Sequence, residues 1–122
     1  MITTTDAKVM ETLRAVVSER PEYTYSAPEY MAGSGGACFY VHVDEDRSPV
    51  GAGCAVGVVL HRLGVPLKEL MQHEGKTAIQ MVREVIEGVS RSTANKLRAF
   101  QFMQDGGVPW GEAYAKATGE TI

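Results

Sequence analysis

The chain has 122 residues, 44% of them hydrophobic and 22% charged, with 12 Lys/Arg set against 15 Asp/Glu. That length suits a single domain able to bury its own core, and a net charge of −3 excludes a general attraction to nucleic acid. No apolar run reaches the roughly 18 residues that span a bilayer, which argues against a membrane protein.

The first residues, Met1 to Asp6, lack the basic and apolar regions of a signal peptide, so a soluble cytoplasmic protein is expected. Its two cysteines, Cys38 and Cys54, would then be reduced thiols. In chain order, residues 6–20 carry Val9, Met10, Leu13, Val16 and Val17 at helical spacing. They predict a first helix that Thr3 or Thr5 caps and Pro21 stops. Residues 22–37 hold Tyr23, Tyr25, Tyr30 and the tip Gly33-Ser34-Gly35-Gly36. They read as an irregular connection with a short strand at 23–26. The alternation in 38–44 predicts a strand with Phe39, Val41 and Val43 toward the core and Cys38, Tyr40, His42 and Asp44 on the other face. A turn at 45–48 and a return strand from Pro49 complete a hairpin that must lean on helices to be stable.

Residues 51–66 are apolar almost all round, so the helix predicted over 52–63 is the central, buried one. Gly64 caps its end and Pro66 opens a short helix over 67–73. The cleanest amphipathic pattern covers 76–87, with Ala78, Ile79, Val82, Val85 and Ile86 on one side. A helix over 92–105 follows, with Leu97, Phe100 and Met103 as its inner row, and a last one over 109–117 carries Trp110, Ala113 and Tyr114. The expected fold is mainly α (α+β): five to six helices bundled around the central helix, with one small β-hairpin. One domain contains an N-terminal helix (1–21), a loop plus hairpin (22–50) and a helical core (51–118).

Two stretches carry a resemblance. Gly53-Cys54-Ala55-Val56-Gly57 running into Leu60-His61-Arg62-Leu63-Gly64-Val65-Pro66 resembles small proteins of actinobacterial phages and prophages that have no assigned activity. The tail from Phe102 to Ala113, with Gly106-Gly107-Val108-Pro109-Trp110, does too. The likeness covers roughly residues 38–117. It implies a phage-type accessory protein and brings no catalytic residues with it.

The residues allow several chemistries to be weighed. Cys54 in the first turn of the central helix would have its thiol pKa lowered by the helix N-terminus. His42 on the preceding strand is the better-placed base, because His61 lies two turns along the same helix, about 10 Å away. Asp44 could orient His42, giving a Cys-His-Asp arrangement suited to acyl transfer. Tight packing of a buried cysteine accounts for Gly53-Cys54-Ala55 more simply. Cys38, His42, Cys54 and His61 also make up a Cys₂His₂ set, but without the close ligand pairs of zinc sites. Residues 58–70 have the helix-glycine-helix grammar of a helix-turn-helix. Leu60 occupies the close-approach position where such motifs favour alanine, and Glu69 and Glu74 oppose phosphate. No phosphate-binding glycine motif is present.

Charge is uneven: residues 1–75 hold six Lys/Arg against ten Asp/Glu, whereas 76–100 hold five against two. A solvated helix face explains that basic segment most simply. Trp110 is expected to wedge the last helix against Phe100 and Met103, and if exposed it would be a partner anchor. Taken together, the sequence points to a non-enzymatic, phage-type accessory protein that binds a protein partner or small ligand, with no cofactor or metal. His42, Cys54, His61 and Trp110 are its candidate binding residues. A homodimer is expected on general grounds. Nucleic acid is disfavoured as a partner; a helix-turn-helix regulator is the alternative and a small Cys-His hydrolase the third reading.

Overall fold

A computed structural model describes residues 1–26 and 39–122. The glycine tip at 33–36 and Cys38 lie outside the described residues. Among those described, the chain forms six helices and two separate pairs of short strands, the mainly α (α+β) architecture that the sequence patterning predicts.

Helix α1 (Asp6–Glu19) starts where Thr5 accepts a hydrogen bond from the Lys8 amide, and it ends just ahead of Pro21. Val9, Leu13, Val16 and Val17 are buried along one stripe. Strands β2 (Val41–Val43) and β3 (Pro49–Ala52) form the expected antiparallel hairpin, with a register break between His42 and Val43. The strand is shorter than the alternation suggests, and Tyr40 is 1% exposed rather than on an open face. Its hydroxyl donates to the Lys76 carbonyl at 2.5 Å and accepts from Gln101 Nε2 at 3.2 Å, so a polar ring end is satisfied inside the core. No strand forms at 23–26.

Helix α2 (Ala55–Arg62) begins later than predicted, because Ala52 belongs to β3 and Cys54 is the cap residue. It touches α1, α5, β3 and the following helix, so it does occupy the centre. Gly57 faces the Tyr40 carbonyl so closely that a Cβ would have no room, which is how the helix and the hairpin come into contact. Helix α3 (Leu67–Met71) is a single short segment with Leu70 buried. A capping box between Thr77 and Gln80 starts α4 (Ala78–Val85). Helix α5 (Arg91–Asp105) is capped by Ser90, and α6 (Trp110–Thr118) ends at Gly119 with φ 78°.

The pattern over 76–87 hides one feature. Residues 86 and 87 leave the helix to form β4 (Ile86–Glu87), which pairs in parallel with β1 (Ile2–Thr3). The Thr4 amide extends the ladder to the Glu87 carbonyl at 2.9 Å. Gly88, at φ 96°, permits the close approach of the Thr4 carbonyl that any side chain would block.

Trp110 is fully buried and meets Tyr23 edge-on at 4.8 Å and Phe100 at 6.4 Å between ring centroids. The Arg20 guanidinium lies 3.9 Å over the Tyr23 ring. Carbonyls of Pro21 and Tyr23 accept the amides of Gly111 and Trp110, fixing the start of α6 to the end of α1. Trp110 is thus a core wedge. No helix among the described residues is long and apolar enough to cross a membrane.

Candidate functional site

Two regions compete as the working site: the face holding His42 and Cys54, and the outer face of α5. On the first, His42 sits in β2 with Nε2 2.9 Å from the Tyr25 hydroxyl. That hydroxyl already accepts the Phe39 amide at 3.1 Å, so its single proton is free to go to His42. Burial lowers the pKa of His42 below its ordinary 6.5 and pushes that of Tyr25 up to about 12, so both groups are neutral near pH 7. Asp44 does not orient His42. Its Oδ1 accepts the amides of Asp46 and Ser48, each at 2.9 Å, and shapes the hairpin turn.

Cys54 is fully buried at the cap of α2 and is disulfide-bonded, which corrects the expectation of a reduced thiol. A cysteine in a bridge has no thiolate with which to attack. The three members of the supposed Cys-His-Asp arrangement therefore each serve a different partner. His61 is exposed, with Nδ1 3.0 Å from the Val65 carbonyl. No group of three metal-ligating side chains comes together among the described residues. The helix-turn-helix corner exists as α2–α3, but α3 has only five residues, a rise of about 7.5 Å, which is short for reading a groove.

Sequence patterning does not single out the polar side chains that build the interior here. Glu74, in the turn after α3, accepts the amides of Tyr40 at 2.8 Å and Val41 at 3.1 Å through its two oxygens. Burial raises its pKa, and these amides partly offset that shift. Gln104 is 1% exposed and its Oε1 accepts the first free amide of α2, from Ala55, at 2.9 Å. Gln101 and Gln104 fall on the inner side of an amphipathic helix, and that was the one legible hint.

The outer face of α5 is built differently. Arg91, Asn95, Arg98 and Phe102 are exposed at spacings of four, three and four residues, forming one stripe. Two concavities flank it. A groove of about 480 Å³ runs between α4 and the first half of α5 and is bordered by Arg83, Arg91 and Arg98. A cleft of about 680 Å³ lies between the 75–77 turn and the second half of α5, walled by Lys76, Arg98, Phe102, Met103 and Asp105. Arg98 borders both. Phe102 is 80% exposed, and burial raises the pKa of Asp105. Lys76 is held by Glu84 at 2.6 Å, whereas Arg83, Arg91 and Arg98 have no ion pair or side-chain hydrogen bond among the described residues.

The chain matches no family model, no curated protein and no solved structure. The functional reading therefore rests on the site itself.

Proposed function

We propose that the chain is a non-enzymatic binding module whose working surface is the outer face of α5. One observation carries this reading: three arginines without partners converge on a concave surface. Several other cations are paired, with Arg62 on Glu19, Arg14 on Glu120 and Lys116 on Glu112. Solvated single charges are ordinary, but three free guanidinium groups around one groove form a surface suited to carboxylate or phosphate. The adjoining cleft falls in the size range of ligand sites and joins apolar walls to a few polar groups.

The phage-type accessory role rests on the resemblance of residues 53–66 and 102–113, and a homodimer remains the proposed stoichiometry on general grounds. A host-cytoplasm location goes with a reduced Cys54, and an oxidising compartment goes with the bridge. Alkylation of freshly lysed cells before and after reduction separates the two.

Amide-resolved NMR with a library of small carboxylates tests the module. Shifts are expected at the groove arginines Arg83, Arg91 and Arg98 and across the adjoining cleft at Thr77 and Phe102. Shifts confined to Tyr25, His42 and Cys54, or turnover of any library member, would overturn the reading.

A further inference from the structure

We infer that the groove between α4 and α5 docks an acidic, amphipathic peptide segment of a partner protein. This rests on the binding-module reading and adds the chemistry of the partner. The floor of the groove is aliphatic, with Ile79, Val82, Ile86, Val89 and Ala94, and its rim carries Arg83, Arg91 and Arg98. Among the described residues no carboxylate lines it. The nearest acid on α4, Glu84, is engaged by Lys76 and His73.

The start of α5 is not where the negative charge would sit. Asp6 accepts the Ser90 amide at 2.7 Å and Ser90 Oγ accepts that of Thr93, so these amides are already used. Anion pairing falls instead to the three guanidinium groups, which take carboxylates in a two-pronged geometry. Arg91 and Arg98 are seven residues apart on one helix face, a rise of about 10 Å. Carboxylates two turns apart on a helical peptide match that spacing, and leucines between them would meet the aliphatic floor. This is the apolar-groove mode of helix recognition combined with an arginine rim.

Nucleic acid fits less well. Among the described residues the groove is lined by no aromatic ring on which a base could stack, its floor offers phosphates nothing, and the whole chain is net negative. Arginine and an aliphatic floor together select for a partner that is acidic and apolar at once.

The test is fluorescence anisotropy with a labelled 14-residue helical peptide carrying leucines at helical spacing and glutamates elsewhere. Controls replace every leucine with alanine, replace every glutamate with lysine, or use a 14-nucleotide oligo-dT. The acidic leucine peptide is expected to bind, with affinity falling at least tenfold for Arg83→Ala combined with Arg91→Ala and for the alanine control peptide. Charge-preserving Arg83→Lys with Arg91→Lys should lose less. These side chains are exposed and unpaired, so melting curves should show the variants folded. Absence of peptide binding, or binding indifferent to the arginine pair, overturns the inference. So does oligo-dT binding as tightly, or sedimentation showing that a second copy occupies the groove. If the peptide fails while small carboxylates still shift Arg98 and Phe102, the partner class falls and the binding module stands.

Discussion

The two sides of α5 use polar side chains in opposite ways. Inward, Gln101 and Gln104 are buried, one bonded to the Tyr40 hydroxyl and the other to the Ala55 amide. Outward, Arg91 and Arg98 face solvent with no side-chain partner among the described residues, beside a phenylalanine that is 80% exposed. A buried amide group without a partner would cost stability, so the inner glutamines are tied to the fold. An exposed arginine costs the fold almost nothing, so its bonds stay available to a ligand. The same contrast separates the α5 surface from the His42–Cys54 face, where His42 bonds Tyr25, Asp44 shapes the hairpin turn and Cys54 is bridged.

Substitutions can break or sharpen this contrast. The largest effect is expected inside: Trp110→Ala, at a fully buried ring packed on Phe100 and Tyr23, should cost about 3–5 kcal/mol in denaturant unfolding. Gln104→Leu keeps most of the volume but leaves the Ala55 amide buried without an acceptor. A loss of about 1–3 kcal/mol is expected, with amide exchange rising in the first turn of α2. On the outer side, Arg83→Ala, Arg91→Ala and Arg98→Ala should each change stability by no more than about 0.5 kcal/mol. An outer substitution as costly as Gln104→Leu would mean that the arginines are structural after all.

The smallest effect concerns pH. Burial depresses the folded-state pKa of His42, so the unfolded chain takes up the proton first as pH falls. The contribution of neutral His42 is complete above the ordinary 6.5 and is lost between 6.5 and the lower folded value. Its ring resonances should titrate below 6.5, and Tyr25→Phe should move that midpoint upward by removing the donor to Nε2. A midpoint at 6.5 in both proteins would show that the ring is effectively solvated.

Much of the fold is legible from periodicity, because helices α1, α4 and α5 announce themselves by apolar stripes, and α1 by the cap residue Thr5 as well; the caps Thr77 and Ser90 emerge only in the structure. The central position of α2 follows from its lack of a polar face. What the sequence conceals is set by contacts distant along the chain. Tyr40 is buried because the Lys76 carbonyl and Gln101 receive its hydroxyl, and nothing local to residues 38–44 encodes that. Likewise Glu74 reads as a surface acid until the amides of Tyr40 and Val41 are brought to it. The candidate site was half visible. The basic composition of 76–100 is plain, but only the packing of α4 on α5 turns it into a groove. Cys54 and His42 stand out in the sequence because their residue types are reactive, whereas Arg98 and Phe102 are ordinary types in an unusual setting.

The pairing of β1 with β4 has a consequence for the order in which the molecule assembles. It joins the two ends of a long loop, and the Asp6–Ser90 bond beside it spans 84 residues of sequence. Closing so long a loop is entropically costly and slow compared with forming helices from neighbouring residues. The helices and their arginines are therefore expected to form first, with Ile86 locked into the groove floor only when Ile2 arrives beside it. Pulsed hydrogen exchange during refolding should show the Thr4 amide protected later than those of α1. Completion of the binding groove is in that sense a late folding event, timed by the arrival of the chain's first residues.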